Sequence, residues 1–415
     1  MTKTGLKQVL IAGGGIGGLA AALALARNGA SVQLLEKAAQ LSEVGAGIQI
    51  GPNVTRILQA WNLGEALARV AAFPQQLQAR DAQSGQLLGS LRLGERSQTL
   101  YGAPYATIHR ADLHGLLHQA AQQSGVGMHL GQTLVGWRET SEGLDVLTRH
   151  AQDAQQSDGS GGAVENHFHA AALIGADGVW SNVRQQLLAD EPARFTGHLA
   201  YRALVAQADL PAHLRTNQIT VWMGPRLHVV HYPVRAGQWL NVVAIVHGGK
   251  PNLASDWDQA GHSQALIHAM GAVGKDLHER LDSIPAWRMW ALHDRPPVAS
   301  AAQMAQGRVA LLGDAAHPMR PYLAQGAGMA IEDAQVLGQC LAKCLVQGSG
   351  DIAAQLQVYA EQRWKRNAQV QARAIRNGQV FHAQGALAWA RNLSMRFGGE
   401  RLMDLPWLYG HGPRV

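Results

Sequence analysis

Two glycine-rich turns hold the residues of this chain whose types and spacing could do chemistry. In the first, Gly13, Gly15 and Gly18 follow the apolar run Val9-Leu10-Ile11-Ala12 at the spacing G-x-G-x-x-G and lead into Leu19-Ala20-Ala21-Ala22-Leu23-Ala24-Leu25. A strand that turns this tightly into a helix lets the backbone approach a pyrophosphate, and the helix N-terminus attracts the anion. The next strand, Val32-Gln33-Leu34-Leu35-Glu36, ends in a carboxylate placed to accept from ribose hydroxyls, with Lys37 beside it. A glutamate there disfavours a 2′-phosphate and leaves FAD or NAD as the ligand. In the second turn, 300 positions later, the short apolar strand Val309-Ala310-Leu311-Leu312 closes on Gly313-Asp314. Gly326-Ala327-Gly328 then starts a helix whose terminal N–H groups can face a developing anion. Two such turns predict one long cofactor held at both ends.

A third motif stands between them, Ala176-Asp177-Gly178-Val179-Trp180-Ser181-Asn182-Val183-Arg184, after the strand-like Leu173-Ile174-Gly175. With these three motifs in this order, and the ending Leu405-Pro406-Trp407-Leu408-Tyr409-Gly410, the chain resembles the single-component FAD-dependent aromatic hydroxylases. The similarity runs over nearly its whole length and is greatest to the salicylate hydroxylase-like branch. The resemblance implies noncovalent FAD, bound by Gly13, Gly15, Gly18, Glu36, Lys37 and Arg110 and by Asp177 and Gly178, which also admit the nicotinamide. It places Asp314 on the ribityl chain and Gly326, Ala327 and Gly328 at the pyrimidine edge of the flavin. It further implies that NAD(P)H reduces the flavin, that O2 adds to the reduced ring, and that the hydroperoxide hydroxylates a small aromatic acid or phenol of the salicylate, 3-hydroxybenzoate or hydroxynicotinate type. No second fingerprint of the first kind occurs, so NADH or NADPH, with NADH favoured, is expected to visit transiently. A flavin epoxidase or ubiquinone-pathway hydroxylase would use the same fold, and a redox-silent flavin-binding sensor is the alternative of another class.

A phenol attacks better once deprotonated, so a base within hydrogen-bond reach of it is expected. His231 and Tyr322 are the candidates, because their segments border the expected ring. His228 and His231 differ by an odd number and must point to opposite faces of a strand; spacing does not say which face is which. Pro318 is expected to shape the oxygen-reacting pocket, and His317, in Gly-Asp-x-x-His-Pro, to be structural. Arg226 or Arg320 could hold a substrate carboxylate, with Tyr232 as a further contact. No zinc-type spacing of cysteine and histidine occurs, and no metal is expected.

The elements that must position these groups read as an α/β fold: a Rossmann-like FAD-binding domain (1–75, 101–185 and 290–350) interleaved with an antiparallel β-sheet substrate domain (76–100 and 186–289), then C-terminal helices (351–415). The antiparallel part rests on Ile219 to Met223, Leu227 to Pro233 and Leu240 to Val246, separated by turn signals. Val44 to Asn53 is too glycine-rich for a regular element and reads as a loop before a helix from Val54 to Ala60. Phe168 to Ile174 reads as one strand, and Gln152 to Asn166 as a hairpin tip. At 415 residues the chain exceeds what a single core organises. Its formal charge of +6 suits anionic ligands, yet no dense Lys/Arg block points to nucleic acid. No window approaches the ~18 apolar residues of a membrane span. The first 26 residues loosely imitate a signal peptide, but their removal would delete the first turn. Cys340 and Cys344, the two cysteines, lie four apart on a helix, which suggests a buried pair and a reducing cytoplasm. A monomer or homodimer is expected.

Overall fold

The computed structural model describes residues 8–41, 46–150, 165–250, 259–261, 263–347 and 350–415. The first turn grows from a six-stranded sheet ordered Ala305–Gln306, Val309–Leu311, Ala172–Gly175, Gln8–Ala12, Ser31–Glu36, Gly127–Leu130. Its pairings are parallel except at the Ala305–Gln306 edge. Sequentially remote strands therefore end side by side, with all three motifs at their carboxyl ends, where open parallel sheets bind ligands. The helix Ile16–Arg27 carries alanine and leucine on nearly every side because both its faces are covered. It packs on the sheet and against the helix Gly326–Gln347, which the second turn launches.

The second sheet has eight strands, ordered Gln259–Gly261, Trp287–Asp294, Arg194–Ala206, Trp239–His247, Leu227–Val234, Ile219–Gly224, Gln76–Asp81, Leu87–Arg92. The meander Ile219–Gly224, Leu227–Val234, Trp239–His247 is antiparallel, as the turn signals predict. Trp287–Asp294 crosses the boundary expected at 290, because Arg288 to Asp294 stay paired to Arg194–Ala206. The helices Ile352–Phe381, Gly385–Met403 and Pro406–Tyr409 end the chain.

Two local expectations fail. Gly47–Ile50 is a strand, paired antiparallel with Ala106–His109, and the helix after it starts at Pro52. The glycine at 47 serves close approach: a Cβ there would stand 2.6 Å from Asn241 Cγ and 2.7 Å from Tyr232 Cε2. Phe168 to Ile174 is divided, since the chain leaves Glu165–Ala170, in a three-stranded sheet, for Ala172–Gly175 in the parallel one. The strands Leu144–His150 and Glu165–Ala170 pair antiparallel, so Glu165 and Asn166 of the expected hairpin tip belong to a strand, and the rest of it, 152–164, lies outside the described residues. Cys340 and Cys344 are free thiols; Cys344 is buried and Cys340 only partly so. Among the described residues no helix is long and apolar enough to cross a membrane.

Candidate active site

Two clefts meet at the first turn, both lined by Gly15, Ala176 and Gly178. One, of about 240 Å³, passes Glu36, Lys37 and Asp177. The other, of about 260 Å³, passes Arg110 and Asp314 to Gly326 and Ala327, at the N-terminus of the helix Gly326–Gln347. Glu36 secures the turn by accepting from Gly14 N at 2.7 Å and Ala38 N at 2.8 Å. A Cβ on Gly18 would lie 1.8 Å from Gly13 O, whereas one on Gly15 would meet nothing within 4 Å. Gly18 thus keeps the turn closed, and Gly15 leaves its open side to a ligand. This open cradle between a carboxylate and a helix N-terminus fits the pyrophosphate of a dinucleotide, and the second cleft fits the rest of FAD. Gly15→Ala is expected to fold normally and to lose FAD affinity, while Gly18→Ala disrupts the turn itself; far-ultraviolet circular dichroism and flavin content after gel filtration would separate the two. Normal flavin content in Gly15→Ala would contradict this placement.

Asp177 holds the third motif by accepting from Ser181 Oγ and, at 3.1 Å, from Val183 N at the start of the helix Asn182–Leu188. Arg184 on that helix donates to Ala315 O at 3.1 Å and Ala316 O at 2.6 Å, fastening it to the second turn. Behind that turn His317, fully buried, meets Asp333 at 2.5 Å. Asp333 also accepts from Arg363 Nε at 2.7 Å and Asn367 Nδ2 at 3.0 Å. Burial raises the Asp333 carboxyl, but His317 and Arg363 outweigh it and hold the group far below the carboxylate range. His317 is a framework residue here. Gly328 does not border the cleft; it packs against Val54. Pro318 lies behind the lining as well, whereas Met319, Arg320 and Pro321 border the cleft.

The second sheet closes the far side of the flavin cleft. Val230, Val243 and Ile245 give an apolar floor; His228 is level with Ile245, Arg202 flanks Val243 on the neighbouring strand, and Tyr232 follows Val230 two residues on. His228 and Tyr232 share this face because they differ by four, and His231 takes the opposite one. There His231 borders a separate cavity with Trp222 and Arg280, so it cannot reach the flavin cleft. Tyr322 also misses the cleft and packs its ring on His228, centroids 5.1 Å apart. Arg226 is exposed in the turn before Leu227 with φ +59, which turns it from the site. Arg320 does border the cleft, ion-paired to Asp294 at 2.5 Å.

Sequence reasoning missed His228 as the residue facing the cleft, and it missed Arg202. The Arg202 guanidinium stacks 3.9 Å over Trp290, its Nε has no hydrogen-bond partner, and burial lowers its pKa to about 10, so it stays charged at neutral pH. His228 is 3% exposed, its Nδ1 lies 2.8 Å from His382 Nε2, and burial, followed by the nearby His198, pushes it down to about 3.

A dinucleotide turn, a helix N-terminus at the far end of the same cleft and an antiparallel sheet across from it mark a flavoprotein oxidoreductase. The family described as "FAD binding domain" matches residues 7–374. The chain is 39% identical to a 3-hydroxybenzoate 6-hydroxylase of Polaromonas naphthalenivorans over 97% of this chain and 95% of that protein. It is 38% identical to one of Klebsiella oxytoca, over 97% and 96%. A salicylate hydroxylase solved as a substrate complex superimposes with a TM-score of 0.79 at 28% identity, covering 99% of this chain and 96% of that one. The chain belongs to this family of FAD-dependent aromatic-ring monooxygenases.

Proposed function

We propose that the substrate is a benzoate bearing a ring hydroxyl, of the 3-hydroxybenzoate type, hydroxylated with NADH and O2 by a cytoplasmic enzyme. The observation that carries this reading is the cleft's polarity: an apolar floor with a cation beside Val243 and an imidazole level with Ile245. Arg202 and Tyr232 bind the carboxylate, and Val230, Val243 and Ile245 hold the ring and exclude water. His228 faces the ring hydroxyl and takes its proton on Nε2, the nitrogen left when Nδ1 engages His382. When bound, FAD supplies the redox chemistry and the activation of dioxygen. The identity of the relatives named 3-hydroxybenzoate 6-hydroxylase supports the choice of acid. We further treat the parallel sheet as the cofactor part and the eight-stranded sheet as the substrate part.

A panel of hydroxybenzoates, scored for stimulated NADH oxidation and for the hydroxylated product, tests the proposal. The expected result is stimulation by 3-hydroxybenzoate with product formed in step with NADH. A panel without any stimulation would overturn it. Losing Arg202 removes a charged contact worth about 1.5–3 kcal/mol, so Arg202→Ala is expected to raise KM for the acid by roughly 10- to 100-fold. Steady-state kinetics with the acid and with the corresponding phenol lacking the carboxylate would check this, since only the acid's KM should respond.

A further inference from the structure

Beyond the flavin cleft, three histidines converge where the C-terminal helices meet the second sheet. His198 and His247 lie opposite each other on adjacent strands, and His382 follows the last turn of Ile352–Phe381. His247 Nε2 is 3.2 Å from His198 Nε2 and 3.0 Å from His382 Nδ1. The ring centroids stand farther apart than the nitrogens, at 4.4 Å for His198 and His247 and 5.1 Å for His247 and His382, so the nitrogens point inward. One ring nitrogen carries either a proton or a lone pair and serves one in-plane partner. His247 Nε2 therefore cannot satisfy both neighbours through hydrogen bonds alone.

We propose that His198 Nε2, His247 Nε2 and His382 Nδ1 form a binding site for a divalent late transition ion of the zinc class. Tetrahedral ligation at 2.0–2.1 Å puts ligand nitrogens about 3.3 Å apart, close to the two separations around His247 Nε2, and the three ligand atoms all lie within 4.8 Å of one another. Three neutral imidazoles without a carboxylate select zinc, nickel or copper over magnesium or calcium. The outer groups suit ligation too: His198 Nδ1 lies 3.2 Å from Thr196 Oγ1, and His382 Nε2 meets His228 Nδ1 at 2.8 Å. Such partners fix which nitrogen faces the ion. Three cations are near: Arg320 is compensated by Asp294, Arg391, close to His382, pairs with Asp81 at 3.8 Å, and Arg226, beside His247, is exposed. An ion here ties the end of the long helix to two strands of the substrate sheet. It also keeps the His382 proton on Nε2, so that His228 accepts at Nδ1 and carries its own proton on Nε2; the ion-loaded protein then holds His228 as a donor to the ring oxygen, and only the ion-free protein offers it as the base. That last consequence rests on the reading that His228 faces the ring hydroxyl; the site does not.

The test uses FAD-loaded protein carrying no histidine tag, treated with chelator, dialysed and titrated with zinc by calorimetry. A parallel cobalt titration is followed by visible absorption beyond the flavin bands. One equivalent of zinc per chain and tetrahedral cobalt bands are expected. Removing an outer partner typically costs 10–100-fold in affinity, so losing a ligand in His198→Gln or His247→Gln is expected to cost about 100-fold or more. His382→Gln repeats the test from the helix side, and flavin content reports folding in each variant. Absence of stoichiometric binding would overturn the proposal. So would binding that persists in all three variants but is lost in His167→Ala, because His167 and His169 beside Asp145 offer an exposed alternative.

Discussion

His228→Ala is expected to lower product formation by about 100-fold or more while NADH still reduces the flavin, because general-base assistance contributes that much and the hydride step does not use it. NADH would then be consumed with release of hydrogen peroxide instead of product. Product per NADH, together with peroxide yield, measures the split. His231→Ala is the matched control: it lies on the other face of the same strand and should change neither number. If His228→Ala keeps wild-type rate and coupling, the proton leaves by another route and the site assignment fails, while family membership stands.

The second large effect concerns the framework behind the flavin turn. Asp333→Asn removes one of the two carboxylates paired with buried Arg363, leaving Glu332 at 3.0 Å, and weakens the contact to His317. Breaking a buried ion pair from one side costs about 3–5 kcal/mol, and the remaining Glu332 pair holds the loss toward the lower figure. Asp333 also accepts from Gly313 N at 3.3 Å, so the loss reaches the turn that carries Asp314. The variant is expected to unfold at lower urea and to release flavin more readily. Urea titration followed by flavin fluorescence would show both; unchanged midpoint and retention would mean that this network is dispensable. The sign of the pH effect follows from the depressed Asp333 carboxyl. Its contribution is complete above the ordinary carboxylate pKa and fades only as pH falls below it, so the wild type and Asp333→Asn should converge in strong acid.

The turns that border the two clefts were legible in the sequence because each depends on a local device, a glycine spacing or a strand end, that needs no knowledge of the rest of the chain. Gly13, Gly15 and Gly18 and the Gly313-Asp314 turn are of this kind. The substrate face was only half legible. The odd separation of His228 and His231 put them on opposite faces, but which face meets the flavin depends on how the meander packs over the cleft. Arg202 is an isolated arginine on a strand, without a motif to mark it. The histidines 198, 247 and 382 are separated by 49 and 135 positions, so no spacing rule could gather them. The glycine at 47 misled for a physical reason: a close approach by another sheet and a loop call for the same residue.

The interleaving of the parallel sheet has a consequence for how the chain is made. Gln8–Ala12 leaves the ribosome first, but Val309–Leu311, which completes the parallel core two strands away, follows some 300 residues later. At ~5–20 residues per second that interval is roughly 15–60 s. From its own synthesis to the end of that interval the edge of Ala172–Gly175 lacks its partner, and neither Asp314 nor the helix at Gly326 exists to close the cleft. Flavin loading is therefore a late event in biogenesis, and the nascent chain must be kept from pairing its open strand edge with another until its last third has been translated.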